Sequence, residues 1–309
     1  MEEILNTVIK KNSFLNGLPV KQFTGGWVNH TYLIGDKYVV KIEKDLDVLI
    51  HQPKIIEKLL SAGAKVPRVF DYGTVNGKSY LLMEKIPGRK LSESWPSFDP
   101  GLKEQFIIQI VGQLKIFHSI HFDRYSLRSL NREFDNFKDF LKSLTDFGII
   151  DESKLDDTTA KNLSLLKTYY QDHDHVLDET GTAVLVHNDM HFENVMYEND
   201  KVTGIIDFDL TRQAPRDYEL WHMIDFFNKP DRYVEEQTKS IYESYVGDGD
   251  IQLLKKYYPE LFSHEHLPER LRLYLIDDLL GHLQDGYTDN FNQRTDHYFK
   301  TDWLERQLL

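Results

Sequence analysis

The stretch LVHNDMHFEN (residues 185–194) begins with apolar residues and continues into a loop that carries histidines, an aspartate and an asparagine. Two further apolar runs, Val195–Tyr197 and Val202–Ile206, flank the turn-forming pair Asn199-Asp200 and lead into Asp207-Phe208-Asp209. Apolar runs on both sides of an Asn/Asp turn are typical of a β-hairpin. The sequence therefore predicts a strand, a polar loop and a hairpin that ends in acidic residues.

Phosphoryl transfer explains why these residue types occur together. The reaction needs a carboxylate beside the attacking hydroxyl, and Asp189 fits that role. It also needs metal-held phosphates, and the amide of Asn194 and the carboxylate of Asp207 are hard oxygen ligands of the kind Mg²⁺ prefers. His187 is expected to hold the loop from behind by hydrogen bonds. The ordered set His-x-Asp-x4-Asn followed by a later Asp thus indicates a phosphotransferase.

Other interpretations of the same loop are weaker. Residues of these types are common in turns, so each of them taken alone indicates little. His187 and His191 have a spacing that occurs in zinc sites, but the residues between them do not form one face of a helix. A metal-dependent hydrolase built on the Asp and His residues would leave the N-terminal part of the chain without a role.

The composition is that of a globular chain. Its 309 residues are 40% hydrophobic and 28% charged, and the length suggests two domains or two lobes around a cleft. The net charge of −13 argues against a nucleic-acid partner, which needs a basic surface. There is no cysteine, no signal peptide and no apolar run of the roughly 20 residues that span a bilayer. We therefore expect a cytoplasmic protein without a membrane partner, and we favour a monomer.

Strand patterns dominate the first part of the chain and helical patterns the rest. Short β-branched and aromatic runs predict strands at Val20–Thr24, Val28–Ile34, Lys37–Glu43, Pro67–Tyr72 and Lys78–Glu84, the last two joined across Gly73–Gly77. Helices are predicted at about Leu46–Ala62, Leu102–Ile120, Phe134–Phe147 and Leu155–Asp172, and from Tyr218 onward. Because Pro87-Gly88 interrupts the pattern, we place a lobe boundary between 1–86 and 87–309. The fold class is α+β, with a small antiparallel-sheet lobe and a larger, mainly helical lobe.

At the polar loop the chain resembles the aminoglycoside phosphotransferase and choline kinase-like family, a branch of the protein-kinase fold. His187–Asn194 is similar to that family's His-Gly-Asp-Leu-His-Pro-Gly-Asn stretch, with Asn188 in place of Gly and Phe192-Glu193 in place of Pro-Gly. Asp207-Phe208-Asp209 resembles the metal-binding triplet, with Asp where protein kinases have Gly. The resemblance, over about residues 18 to 225, implies a two-lobed protein-kinase-like fold that uses ATP or GTP with Mg²⁺.

The resemblance also implies a nucleotide-binding role for the N-terminal lobe. Residues 23–32, FTGGWVNHTY, resemble the family's phosphate-covering loop. The nucleotide-binding residues implied there are Gly25, Gly26 and Asn29. Residues 81–88, LLMEKIPG, resemble the linker that reads the base through its backbone. By that match the carbonyl of Glu84 and the N–H of Ile86 pair with the base, and Met83 lines the back of the pocket.

Lys41, in the apolar run VVKI, resembles the phosphate-binding lysine of the family. A lysine that faces inward from a strand needs an anionic partner. The family usually supplies a Glu from the helix of this lobe, but the position implied by spacing is near Gln52. Glu57 and Asp47 are the alternatives, and the choice stays open. Glu219 resembles an acidic residue that braces the catalytic loop.

The acceptor is expected to be a small molecule. The step from Asp207 to Glu219 is too short for the peptide-binding platform of a protein kinase. Acidic residues of the C-terminal helices hold substrate ammonium groups in the family's aminoglycoside kinases, which implies Asp277, Asp278 and Asp285 here. The implied activity is transfer of a γ-phosphate to a hydroxyl of a small cationic molecule, such as an amino sugar or an amino alcohol. The alternative is a nucleotide-binding pseudokinase that acts through partners.

Overall fold

An antiparallel sheet forms the N-terminal lobe of the computed structural model, which describes residues 1–23, 29–43, 49–126, 133–178 and 182–308. Its strands are β1 (Val20–Gln22), β2 (Asn29–Ile34), β3 (Tyr38–Glu43), β4 (Val69–Val75) and β5 (Lys78–Glu84). They are ordered β1-β2-β3-β5-β4, and each neighbouring pair is antiparallel. Lys41 lies opposite Thr31 on one side and Leu81 on the other, which places it well inside the sheet.

Two helices cover the two faces of this sheet. Helix α1 (Glu2–Lys11) packs on one face, where Tyr80 and Leu82 join its apolar residues in one core cluster. Helix α2 (Gln52–Ser61) packs on the other face, where Leu81 and Met83 belong to the large core that continues into the second lobe. Successive residues of β5 thus serve opposite cores, as the alternation of a strand requires.

The structure corrects two of the predicted elements and adds a helix. No helix was predicted at α1, although Ile4, Leu5 and Val8 have helical spacing and are buried. The helix predicted from Leu46 begins at Gln52, since residues 49–51 form a turn and residues 44–48 lie outside the described part. Strand β4 continues through Gly73, because the turn is made by Asn76-Gly77, both with positive φ.

The second lobe is mainly helical, with two small sheets that carry the loops of interest. The first sheet contains β7 (His121–Phe122), β10 (Ala183–Val186), β13 (Arg212–Ala214), β8 (Tyr125–Ser126) and β9 (Glu133–Phe134), in that order. The second contains β12 (Lys201–Ile205), β11 (Val195–Glu198) and β6 (Arg89–Lys90). The hairpin predicted around Asn199-Asp200 is confirmed, with positive φ at both turn residues.

Nine helices are described in this lobe. They are α3 (Pro100–His118), α4 (Phe137–Leu144), α5 (Asp157–His173), α6 (Leu220–Asn228), α7 (Glu236–Lys239), α8 (Asp248–Tyr257), α9 (Leu267–Gln284), α10 (Thr288–Phe299) and α11 (Trp303–Leu308). Helix α3 begins at the N-cap Asp99, which accepts from two backbone N–H groups, and it packs against β10. Within the described ranges, no helix combines the length and the apolar character needed to cross a membrane.

The linker between the lobes depends on Gly88. Its φ is +97°, and a Cβ at this position would lie 2.1 Å from the carbonyl oxygen of Tyr197. The hydroxyl of Thr203 donates to the carbonyl of Pro87 at 2.6 Å, and β6 then pairs with β11. Because the chain leaves the first sheet after Glu84 and joins a sheet of the second lobe at Arg89, we propose the lobe boundary at 86–87.

Candidate active site

Glu219 holds the backbone of the polar loop that follows β10. Its buried carboxylate accepts from the N–H of His187 at 2.7 Å and from the N–H of Asn188 at 3.0 Å. Burial would raise the pKa of Glu219, but hydrogen bonds, first that of His118, lower it below its ordinary value. Glu219 is therefore an ionised brace, which is the role predicted for it.

A left-handed residue turns this loop toward the cleft. Asn188 has a φ of +59°, a conformation that glycine adopts freely and asparagine tolerates better than most other residues. The substitution of Asn for the usual Gly thus preserves the turn. His187 closes the loop from behind, since its Nε2–H donates to the carbonyl of Ile206 at 3.0 Å.

Asp189 is oriented by a side chain on each of its carboxylate oxygens. His191 Nε2 lies 3.0 Å from Oδ1, and the amide nitrogen of Asn194 donates to Oδ2 at 2.9 Å. Burial would raise the pKa of Asp189, but the neighbouring imidazoles, His191 above all, hold it well below the ordinary value. The carboxylate is consequently ionised and can accept a hydrogen bond from a substrate hydroxyl.

Asn194 and Asp207 are the predicted ligands of Mg²⁺, and this role stays a prediction. The amide nitrogen of Asn194 is used by Asp189, so its oxygen can serve a cation. The N–H of Ile206 donates to the carbonyl of Asn194 at 2.9 Å, which brings the two predicted ligands onto neighbouring backbone. The side chain of Asp207 is 40% exposed and has a left-handed backbone, φ +68°. An amide oxygen and an accessible carboxylate oxygen suit Mg²⁺.

The imidazoles of the loop are not arranged as a zinc site. Nε2 of His187 is engaged by a backbone carbonyl, and Nε2 of His191 faces Asp189. Throughout the part of the chain that the structure describes, no group of three or more His, Asp or Glu side chains could hold a metal ion. The zinc alternative therefore has no support in the geometry.

Lys41 lies between two carboxylates of the second lobe. Its Nζ is 2.8 Å from Asp207 Oδ1 and 3.0 Å from Asp209 Oδ1. Burial would lower the pKa of Lys41, but these two carboxylates together raise it above its ordinary value. The ammonium is thus fixed between these two carboxylates, and its binding of a phosphate stays a prediction.

The two carboxylates that contact Lys41 among the described residues lie outside helix α2. Glu57 is exposed on that helix, and Asp47 lies outside the described residues. Gln52 occupies the position that the spacing implied, and its amide donates to Asp209 Oδ1 at 2.6 Å. Asp209 is therefore the second carboxylate at Lys41, although nothing in the sequence pattern distinguished it from a structural residue.

The predicted phosphate-covering loop is described only at its end. Gly25 and Gly26 lie outside the described residues, so their predicted roles stay predictions. Asn29 is buried, and its amide nitrogen donates to Asp209 Oδ2 at 2.5 Å. The amide of Asn29 thus binds the same carboxylate as Lys41, and its predicted contact with the nucleotide stays a prediction.

The linker residues predicted to bind the base lie where β5 ends. Met83 is buried between Val39 and Val69 of the neighbouring strands. The N–H of Glu84 donates to the carbonyl of Arg68 at 2.8 Å, and the N–H of Lys85 donates to that of Lys37 at 2.8 Å. The side chain of Ile86 packs over Gly204, where an added Cβ would lie 3.0 Å from it. The roles of Met83, Glu84 and Ile86 toward a base stay predictions.

His222, on helix α6, lies near the carboxylate oxygen of Asp189 that Asn194 does not contact. Its Nδ1 is 3.9 Å from Asp189 Oδ1, and this nitrogen has no hydrogen-bond partner among the described residues. Burial, against the charges of Asp189 and Asp278, lowers the pKa of His222. The sequence analysis missed this residue, because a single His in the apolar helix LWHMIDFFN carries no distinctive signal.

The carboxylates predicted to bind the acceptor differ in their surroundings. Asp278 forms an ion pair with Arg294 at 2.5 Å, and Asp277 lies 3.8 Å from Arg212. Asp285 is exposed just after the end of helix α9. A cationic acceptor would therefore share Asp277 and Asp278 with arginines, while Asp285 lies on the surface. Binding by these residues stays a prediction.

Comparison with known proteins places the chain in a family. Residues 19–249 match the sequence model of the phosphotransferase enzyme family. No curated protein matched in a sequence search.

Several solved structures share the fold. A thermostable mutant of aminoglycoside phosphotransferase APH(4)-Ia, in ternary complex with AMP-PNP and hygromycin B, superposes with a TM-score of 0.73 at 16% identity, over 97% of this chain and 98% of that one. The gentamicin complex of APH(2")-IIa gives 0.65 at 18% identity, over 99% and 98%. The GDP complex of aminoglycoside 2'-phosphotransferase-IIIa gives 0.65 at 16% identity, over 99% and 97%. The chain therefore belongs to the phosphotransferase enzyme family, as a small-molecule kinase with a two-lobed protein-kinase-like fold.

Proposed function

We propose that this kinase transfers the γ-phosphate of ATP or GTP to a hydroxyl of a small cationic molecule, an aminoglycoside-like amino sugar or an amino alcohol. The observation that carries the proposal is the position of Asp189. Its ionised carboxylate accepts from Asn194, a predicted metal ligand, at Oδ2, and has Nδ1 of His222, on helix α6, 3.9 Å from Oδ1. A hydroxyl bound beside His222 would meet the base and the phosphate together.

Asp189 is the base in this proposal. It accepts the proton of the acceptor hydroxyl while the hydroxyl oxygen bonds to the γ-phosphorus and the bond to the bridging oxygen of the leaving nucleoside diphosphate breaks. Because a carboxylate is a weak base toward an alcohol, Asp189 first orients the hydroxyl and takes the proton late. This order suits a loose transition state, in which the attacking oxygen gains its bond late.

Three side chains manage the charge of the nucleotide. Asn194 and Asp207 would hold Mg²⁺, which when bound neutralises charge on the phosphates. Lys41 supplies a fixed positive charge from the N-terminal lobe, already ordered beside Asp207. The carbonyl of Glu84 and the N–H of Ile86 would pair with the base. Since the comparison structures hold AMP-PNP in one case and GDP in another, we keep both ATP and GTP as donors.

The cationic nature of the acceptor rests on carboxylates near the base. The negative charge of Asp278 acts on the pKa of His222, and Nδ1 of His222 lies 3.9 Å from Oδ1 of Asp189. Asp277 is the neighbouring residue on the same helix, and its side chain is partly exposed. An ammonium group placed there would form charge-assisted hydrogen bonds with Asp277 and Asp278, in addition to the contacts that these carboxylates make with arginines.

A paired acceptor screen tests the proposal. Amino sugars and amino alcohols are each matched with the neutral analogue that keeps the hydroxyls and lacks the amine, and both are incubated with Mg-ATP or Mg-GTP. Phosphorylated products, detected by mass, are expected from cationic members only. Equal turnover of neutral analogues would contradict a cationic acceptor.

The same screen separates the kinase from a pseudokinase. Thermal unfolding with Mg-nucleotide is measured first, since a bound ligand raises the unfolding temperature. Binding without phosphorylation of any acceptor would favour the pseudokinase, while absence of both would contradict the nucleotide site itself.

A further inference from the structure

Asp209 joins three elements of the N-terminal lobe to the second lobe. Its Oδ2 accepts from the amide of Asn29 in β2 at 2.5 Å. Its Oδ1 accepts from Nζ of Lys41 in β3 at 3.0 Å and from the amide of Gln52 in α2 at 2.6 Å. Asn29, Gln52 and Asp209 are all buried. A carboxylate with donors on both oxygens has a fixed orientation, and it fixes the ammonium that it faces.

The two carboxylates at Lys41 are not equivalent. The side chain of Asp207 is 40% exposed, whereas that of Asp209 is 9% exposed. Asp207 can therefore turn toward a ligand in the cleft. Asp209 is enclosed by Asn29, Lys41 and Gln52 of the N-terminal lobe, so its carboxylate is less accessible to a ligand in the cleft. One carboxylate is available for metal, and the other is committed to the lysine.

The residue at position 52 is complementary to the one at 209. An amide donates to Asp209, but a carboxylate at position 52 would lie within 2.6 Å of a second carboxylate and repel it. A neutral amide at position 52 cannot balance the charge of Lys41, which leaves that task to Asp207 and Asp209 of the second lobe. Position 209 in the second lobe thus carries the negative charge, and position 52 in the N-terminal lobe carries the hydrogen-bond donor.

We propose that Asp209 is the positioning residue that holds Lys41 in its phosphate-binding orientation, with Gln52 and Asn29 fixing the carboxylate. The acidic partner of the lysine therefore belongs to the second lobe, and helix α2 contributes only a donor. The lysine is correctly placed only when the two lobes are closed on each other. This inference rests on the proposed kinase function, because its effect is measured as phosphate transfer. It adds Asp209 to the residues on which that function depends.

A charge exchange between positions 52 and 209 tests the proposal. Asp209→Asn is expected to lower kcat/KM by on the order of 10–100-fold, the range seen when a residue that orients a charged ligand is removed. The effect should fall on kcat and on the KM of the nucleotide, with the KM of the acceptor unchanged. Gln52→Glu is expected to lose activity as well. The double variant Gln52→Glu/Asp209→Asn restores one carboxylate and one amide and should recover at least about tenfold over Asp209→Asn.

Two controls separate positioning from other roles. Glu57→Gln, on the exposed side of the same helix, should leave kcat/KM unchanged. The Mg²⁺ concentration for half-maximal rate should be the same in Asp209→Asn and wild type. A higher requirement for Mg²⁺ in Asp209→Asn, without rescue in the double variant, would identify a metal ligand and overturn the proposal.

The stability of each variant completes the test. If the double variant regained the wild-type unfolding temperature but not its activity, Asp209 would be structural only and the proposal would fail. If no cationic acceptor were phosphorylated, the proposed function would fail by itself. The two single variants and the double variant would then be compared by their rates of nucleotide hydrolysis by water, for which the same loss and rescue are expected. Absence of rescue there would overturn the role of Asp209.

Discussion

The amide nitrogen of Asn194 donates to the carboxylate of Asp189 at 2.9 Å and to its backbone carbonyl at 2.8 Å. One side chain therefore orients the predicted base and offers its remaining oxygen to the predicted metal. Because both functions depend on the same amide, positions of base and metal are coupled.

This coupling predicts a double effect of Asn194→Ala. We expect kcat to fall on the order of 10–100-fold and the Mg²⁺ requirement to rise, since a metal ligand and a partner of the base are lost together. Magnesium titrations of the steady-state rate measure both effects. The exposed Asn16→Ala is the control. A loss of rate with an unchanged Mg²⁺ requirement would show that Asn194 does not bind the metal.

The left-handed backbone of Asn188 predicts which substitutions the loop accepts. Asn188→Gly should change the free energy of unfolding by less than about 1 kcal/mol, whereas Asn188→Val should cost about 1–3 kcal/mol, because a β-branched residue is strained at φ +59°. Urea unfolding measures the difference. Equal stability of the Gly and Val variants would contradict the assigned conformation.

The depressed pKa of Glu219 predicts a loss of stability in acid. A carboxylate whose pKa is lower in the folded state contributes stability above its unfolded pKa of about 4.3, and this contribution disappears as pH falls through the folded pKa. The free energy of unfolding should therefore decrease below about pH 5. Glu219→Gln should be less stable at pH 7, by about 1–3 kcal/mol, and should lose less on acidification. A steeper acid loss in the variant would contradict the ionised brace.

Site residues that are close together in the sequence could be predicted to meet, whereas contacts between residues far apart in the sequence could not. His187, Asp189, Asn194 and Asp207 lie within one loop and hairpin, where spacing alone brings them together. Asp209 and Gln52 are 157 residues apart, and no local pattern reveals their contact. Helix α1 is also predictable locally, because Ile4, Leu5 and Val8 have helical spacing.

The same limit applies to the acceptor side. Asp278 looks like any residue of an acidic helix, and its ion pair with Arg294 joins helices α9 and α10. Gly73 looked like a turn residue, yet it continues β4 and packs against the ring of Tyr80. Burial and partners, which decide these roles, depend on tertiary packing.

The predicted binding of the acceptor by Asp277 and Asp278 can be tested by removing the charge of each carboxylate. Asp277→Asn and Asp278→Asn should each raise the KM of a cationic acceptor by about tenfold, with the KM of the nucleotide unchanged, since one charge-assisted hydrogen bond to the substrate is weakened. Asp172→Asn, exposed on helix α5, is the matched control. An unchanged acceptor KM in both variants would place the ammonium site elsewhere.

The most direct test of the account compares Asp189→Asn with Asp207→Asn. Phosphate transfer to the acceptor and affinity for Mg-nucleotide are measured on both proteins, after thermal unfolding has shown that each is folded. We predict that Asp189→Asn lowers kcat by about 10²–10⁴-fold and weakens Mg-nucleotide binding far less than Asp207→Asn does, because Asp189 is not a predicted metal ligand and Asn194 keeps its hydrogen bond to the backbone carbonyl of residue 189. Asp207→Asn should lose both turnover and Mg-nucleotide affinity. Wild-type kcat in Asp189→Asn would contradict the assignment of the base and, with it, the proposed mechanism.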